Sequence, residues 1–261
     1  MHIHVLNTGG LSNIIKALVS AFRLTRDVSC KWKPMREILL DGLIASDAIP
    51  SNHQIIHTWQ LVTKPAQCAM PQTYDFAYDR MTPDMKSMFL PSFDYLKSCI
   101  KKDIRDAVDA FLQANTFEVA MHIRSWTDDP ARHEKYYDCS LYEAEIKSAI
   151  TSGQTILVCA DDPLIVQALK NKYAAHSGAI LTYDDPSLPC KHTTFCYSEG
   201  AARRALIEML LLSHAKQTLV GSYLSTFTEC AWWFGGCKQD VVLPCKTGVF
   251  RYPSSDSAGI S

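Results

Sequence analysis

TILVCADDPLIVQALKNKYAA, residues 155–175, decides how the chain is to be read. The unbroken apolar run from Ile156 to Ala160 suits a strand covered on both faces, not one with a solvated side. Two aspartates follow, and then Pro163 opens a helical pattern at a first turn, where its missing N–H costs nothing. A buried strand, an acidic turn and a helix are one unit of a parallel α/β sheet. The pattern repeats on both sides. Upstream, FEVAMHI (117–123) reads as a strand and SLYEAEIKSAI (140–150) as a helix. Downstream, GAILTYDD (178–185) reads as a strand, 200–215 as an apolar helix and QTLVGS (217–222) as a strand. LSTFTECAWWFGG (224–236) is a helix stopped by Gly235 and Gly236, and DVVLP (240–244) is a last strand.

The N-terminal part opens the same way. Residues 2–6 read as a strand, and NTGGLSN (7–13) leads into a helix spaced by Ile14, Ile15, Leu18, Val19 and Phe22. DVSCKW (27–32) is a second strand. Prolines 50, 65, 71, 83 and 91 divide the stretch from Met35 to Pro91 into short pieces with no clear order. FDYLKSCIKKDIRDAVDAFLQAN (93–115) reads as one amphipathic helix. The chain therefore divides into two α/β halves, 1–100 and 101–261, with parallel sheets facing a central cleft.

Bulk composition narrows the classes. A net charge of −1 over 261 residues argues against nucleic-acid binding through a broad basic surface. No apolar run approaches the ~20 residues of a membrane span, and the first residues lack the form of a signal peptide. The ten cysteines include no C-x-x-C pair, so zinc spacing is absent and reduced structural thiols are expected. These features predict a soluble, cytoplasmic protein that holds no metal.

Ligands of open α/β sheets sit beyond the carboxyl ends of the strands. That rim carries His122, Arg124, Asp161, Asp162, Asp184 and Ser222, and the first half offers Gly9 and Gly10. Arg124 either clamps a diphosphate oxygen or pairs with Asp128, Asp129 or Asp161. One aspartate of CADDP caps the helix that Pro163 opens, and the other holds a ribose or braces Arg124. Glu208 lies in a helix apolar on nearly every side; either Arg203 or Arg204 reaches it or it accepts N–H bonds from a nucleobase. Ser222, Ser225 and Thr226 stand at a helix start, where they cap the helix or hold phosphate. Anion-binding elements on facing rims suit a nucleotide diphosphate better than a polymer to be hydrolysed. A non-catalytic nucleotide-sugar or glycan-binding module is the alternative of another class.

Four segments, in order and spacing, resemble the three motifs of the α1,6-, α1,2- and protein-O-fucosyltransferase superfamily, which includes the nodulation fucosyltransferases. They are AMHIRSWTDD (120–129), ILVCADDPLIVQALKNKYA (156–174), ALIEMLLLSHAKQTLVGS (205–222) and LSTFTECAWWFGG (224–236). NTGGLSNIIKAL (7–18) resembles that family's N-terminal glycine loop. The resemblance implies a GT-B-like fold of two Rossmann-like halves, with the acceptor on the first and the donor on the second. It implies inverting, metal-independent transfer of a sugar from a nucleotide diphosphate sugar, GDP-fucose by default, to a glycan hydroxyl, without a cofactor. By position, Arg124 would clamp the diphosphate, and His122 and Glu208 would contact the base. Ser225, Thr226 and Phe227 would line phosphate and ribose, with Asp161 and Asp162 bracing them. Gly9, Gly10 and Asn13 would approach from the other half. The base that activates the acceptor would be Glu134, Asp128 or Asp75, with Asp79 a further candidate. Two departures stand out. Ser125 replaces the second arginine of many relatives, and Glu208 stands where the α1,6 enzymes carry Asp, which leaves UDP-sugars such as UDP-xylose open. The missing anchor resembles bacterial or viral members.

Overall fold

The computed structural model describes residues 2–6, 9–39, 53–56, 59–62, 73–74, 82–188 and 198–252. The first half opens with β1 (His2–Val5), α1 (Leu11–Phe22), β2 (Val28–Cys30), the short α2 (Met35–Ile38) and β3 (His53–Ile56). Its three strands are parallel in the order β2-β1-β3. A small antiparallel pair, β4 (Leu61–Val62) and β5 (Thr73–Tyr74), follows, and then α3 (Pro83–Ser98) and α4 (Lys102–Ala114).

After α4 the chain runs β6 (Val119–Ile123), α5 (Pro130–Tyr136), α6 (Cys139–Thr151), β7 (Ile156–Ala160), α7 (Pro163–Lys172) and a 3₁₀ turn at Ala174–Ala179. It continues with β8 (Ile180–Leu181), α8 (Glu199–Leu212), β9 (Thr218–Val220), α9 (Thr226–Phe234), β10 (Asp240–Cys245) and β11 (Gly248–Tyr252). The sheet order is β11-β10-β9-β6-β7-β8, parallel except for β11. The opening stretch becomes β7 and α7 as its pattern requires. Asp162 accepts a hydrogen bond from the Leu164 N–H at 2.9 Å and caps α7.

One apolar core joins Ile3, Leu18 and Phe93 to Leu210, Leu219 and Trp233, so the two sheets share packing. Phe93 stacks on Trp233 with ring centroids 5.3 Å apart. Helix α1 lies at the middle of this core, with every residue buried but Asn13. It packs along α9, and the two are joined inside the core by an ion pair, Lys16 Nζ to Glu229 Oε2 at 2.5 Å.

The structure corrects four readings. Residues 93–115 are not one helix. The chain breaks after Ser98, where Ile100 bridges Leu39 and the Lys101 N–H donates to the Ile38 carbonyl. Pro83 and Pro91 do not divide their region: Pro83 occupies the first turn of α3, and Pro91 sits exposed within the same helix. The strand expected over 178–185 shrinks to Ile180–Leu181. DVVLP is not the last strand, because residues 245–248 turn tightly into β11.

Candidate functional site

Arg124 is the first residue beyond β6, at the carboxyl rim. Its guanidinium pairs with Asp161 and, at 3.3 Å, with Asp128, and it lies 4.4 Å over the Trp126 ring. Of the three aspartates the sequence offers, Asp129 is not a partner; it caps α5 instead. Asp161 does more than balance the charge. Its other oxygen accepts from the Ser125 N–H and the Ser125 hydroxyl, both at 2.8 Å. The backbone beside Arg124 is fixed from the opposite side. The Arg124 N–H donates to Ser222 Oγ at 2.6 Å, and Ser222 bonds the Tyr142 hydroxyl at 2.7 Å. Tyr142 is buried, and burial pushes its hydroxyl up to about 12, so it stays protonated.

Two bulky residues next to these contacts have left-handed backbone, Trp126 at φ 57° and Leu224 at φ 61°. Such conformations cost energy and persist where surrounding contacts over-determine them. Here they bracket the turn after β6 and the turn after β9.

From Ser222 the chain enters α9 through Ser225, whose N–H donates to the Ser222 carbonyl at 3.1 Å. Helices α3, α5, α6, α7 and α8 each carry a side-chain N-cap. Helices α1 and α9 do not: Gly10 has no side chain to offer, and Ser225 makes no capping bond. The short α2 and α4 also lack a side-chain cap. What distinguishes α1 and α9 is that their uncapped ends meet. Ser12 Oγ lies 2.8 Å from Thr226 Oγ1, and that hydroxyl donates to Asn13 Oδ1 at 2.7 Å. Helix N-termini carry unpaired N–H groups and a positive partial charge. Two of them, with Arg124 tied to the same turn, form a polar frame suited to a polyanion.

His122 is buried in β6. Its Nδ1 lies 3.0 Å from Thr228 Oγ1, and its ring stacks on Phe227 at 4.5 Å. Glu208 is held by Arg204 at 3.0 Å, not by Arg203, which reaches Asp103 on α4. Arg204 also donates to the Tyr183 and Leu188 carbonyls. Burial raises the Glu208 carboxyl to about 7 against the opposing pull of Arg204. Glu134 is exposed on α5, and its carbonyl accepts from Lys246 Nζ at 2.5 Å. Gly9 lies in a bend and is partly buried. Asp75 and Asp79 lie outside the described residues.

Lys16, Glu229, Tyr142 and His133 are not among the candidates that the sequence offers. Glu229 carries the signal that marked Glu208, a carboxylate amid apolar helix residues. His133 carries none, because its partner is the Ser125 carbonyl, brought to it by the turn at Trp126. A hollow of about 340 Å³ near Val119, Glu145, Thr218, Asp240 and Arg251 lies at the amino ends of the strands, opposite Arg124. Among the described residues no three His, Cys, Asp or Glu side chains stand together as a metal site, and no helix is long and apolar enough to cross a membrane. Seven cysteines among them are free thiols.

No family model matches the sequence, and no curated protein matches it significantly. Solved structures do match. A mutant of Arabidopsis thaliana FUT1 in complex with GDP superposes with a TM-score of 0.57 at 14% identity, over 96% of this chain and 74% of that one. NodZ α-1,6-fucosyltransferase soaked with GDP-fucose gives 0.53 at 12% identity, over 97% of this chain and 99% of that one. The fucosyltransferase NodZ from Bradyrhizobium gives 0.52 at 13% identity, with coverage of 97% and 99%.

The fold is GT-B-like. At this level of identity the likeness concerns the fold, and the six-stranded sheet with its mostly parallel strands takes the place of the second Rossmann-like half. The α1–α9 contact joins the β1-bearing sheet region to the six-stranded sheet region beside the turn that holds Arg124.

Proposed function

We propose that this protein is an inverting, metal-independent glycosyltransferase that moves a sugar from a nucleotide diphosphate sugar, GDP-fucose, to a hydroxyl of a glycan. The observation that carries the reading is the meeting of the uncapped N-termini of α1 and α9 on the turn that holds Arg124. Among the neighbours, a FUT1 mutant holds GDP and NodZ was soaked with GDP-fucose.

In this reading the diphosphate lies across the frame formed by Gly9, Gly10 and Asn13 on one side and Ser225 and Thr226 on the other. Arg124 exchanges its carboxylate partners for phosphate oxygens. As the glycosidic bond breaks, charge grows on the departing phosphate, and a fixed guanidinium stabilises that charge more than the ground state. Asp161 keeps the Ser125 backbone fixed once the arginine has turned to phosphate, while Asp162 holds the start of α7. Phe227 and the buried His122 beneath it form the floor toward the base. Glu208 receives the base edge together with Arg204.

A second reading keeps the site and changes the donor. Glu208 is one methylene longer than Asp and already carries an arginine, which leaves less room and favours a pyrimidine, as in UDP-xylose. Calorimetric titration with GDP and UDP separates the two: tighter GDP binding supports the first and tighter UDP binding the second. Release of nucleotide from GDP-fucose or a UDP-sugar then tests for an enzyme. Binding of neither nucleotide overturns the reading, and binding without turnover of any donor leaves a binding module instead.

A further inference from the structure

Inverting transfer needs a base for the acceptor hydroxyl, and the carboxylates near Arg124 are poorly placed for the task. Asp128 stands against the guanidinium, on the side of the leaving group in the proposed function, and Asp161 is bonded by the Ser125 N–H and hydroxyl. Glu134 is exposed on α5. His133, one residue earlier on that helix, is half-buried, and its Nδ1 lies 2.6 Å from the Ser125 carbonyl oxygen. A carbonyl only accepts, so Nδ1 carries the hydrogen and donates it. The tautomer is thereby fixed. In the neutral ring the lone pair is on Nε2, which makes no hydrogen bond among the described residues.

The ring is oriented as a base is oriented in other acid–base pairs, by a second group that holds the far nitrogen. That group is anchored in turn. The Ser125 N–H and hydroxyl are both bonded to the oxygen of Asp161 whose partner oxygen holds Arg124. The Tyr137 ring lies against the imidazole, 4.9 Å away, and the His133 N–H is held by the Asp129 carbonyl at 2.9 Å. One aspartate thus fixes both the cation that would meet the leaving group and the carbonyl that sets the histidine.

We propose that His133 Nε2 is the general base of the transfer, a role that rests on the glycosyltransferase reading above. The acceptor O–H gives its proton to Nε2, and the acceptor oxygen forms the new bond to the anomeric carbon. The bond from that carbon to the phosphate oxygen breaks, and its electron pair leaves with the nucleoside diphosphate beside Arg124. The imidazolium then releases its proton to solvent.

The test uses GDP-fucose with water as acceptor, read as GDP released. His133→Asn keeps a side-chain N–H for the Ser125 carbonyl but has no base, whereas His133→Ala opens space for added imidazole. We expect His133→Asn to retain wild-type GDP affinity and melting temperature while GDP release falls about 10²-fold or more. Imidazole is expected to restore part of the rate to His133→Ala. A purely structural role predicts that His133→Asn works at the wild-type rate, and that result overturns the assignment. A rate loss that merely follows weakened GDP binding overturns it too. If the wild-type protein releases no GDP at all, the GDP-fucose reading itself fails and the base assignment falls with it.

Discussion

Two ion pairs in this protein join residues far apart in the sequence and differ in how deeply they are buried. Lys16–Glu229 is sealed between α1 and α9, with side-chain exposures of 0% and 1%. Arg124–Asp161 sits at the carboxyl rim, with exposures of 11% and 8%, and both partners make further polar contacts. Desolvating two charges costs as much as their attraction returns, so a buried pair adds little net stability but punishes loss of either partner. The first pair is a fixed joint between the halves. The second, in the function proposed above, is a cation that trades carboxylate for phosphate when the donor binds. The joint belongs to folding and the rim pair to binding.

The largest expected effect breaks the joint. Glu229→Ala strands Lys16 in the core and is expected to cost ~3–5 kcal/mol, while the paired change Lys16→Met with Glu229→Leu costs far less. Urea unfolding of the two variants measures this, and equal losses would show that a stranded Lys16 is not what destabilises the joint. Next comes the rim. Arg124→Ala is expected to lower donor turnover about 10²-fold or more, with the unfolding midpoint close to wild type. An unfolding defect as large as that of Glu229→Ala would erase the distinction.

Glu208 sharpens it further. Its carboxyl rises in the fold from the usual carboxylate range to about 7 because of burial, so the native state holds the proton more tightly than the unfolded chain. The stability it contributes is fully present below about 4.5 and is lost as pH rises through about 7, by ~3 kcal/mol. Glu208→Gln is expected to flatten that fall, as seen by comparing unfolding free energies at the two ends of the window. The smallest effect tests the support of His122. A Cβ at Gly221 would lie 2.0 Å from Thr228 Cγ2 and 2.8 Å from Thr228 Cβ. Gly221→Ala therefore displaces Thr228 from His122 and is expected to cost about 1–3 kcal/mol, measurable as a lowered melting temperature.

Much of the fold is legible because a covered parallel strand needs a continuous apolar run. β6 and β7 follow that rule, and Asp162 with Pro163 marks the start of α7. The break between α3 and α4 leaves no trace, since the amphipathic spacing continues across Cys99–Lys101 and the interruption is made by α2, distant in sequence. β11 left little signal, because the two residues between the strands are Lys246 and Thr247 and not the Asn-Gly or Asp-Gly pair that marks a tight hairpin. At the site, the polar residues at strand ends were visible one by one. Their partners were not. Whether Arg124 meets Asp161 or Asp129, and whether Ser12 meets Thr226, depends on packing between segments far apart along the chain.

In the proposed function Arg124 is a diphosphate clamp parked on Asp161 in the donor-free protein. A crystal structure with GDP bound tests it most directly. The account predicts a guanidinium turned onto the diphosphate, with the phosphates at the joined ends of α1 and α9. A guanidinium still locked on Asp161 and Asp128, with GDP seated elsewhere, would contradict it.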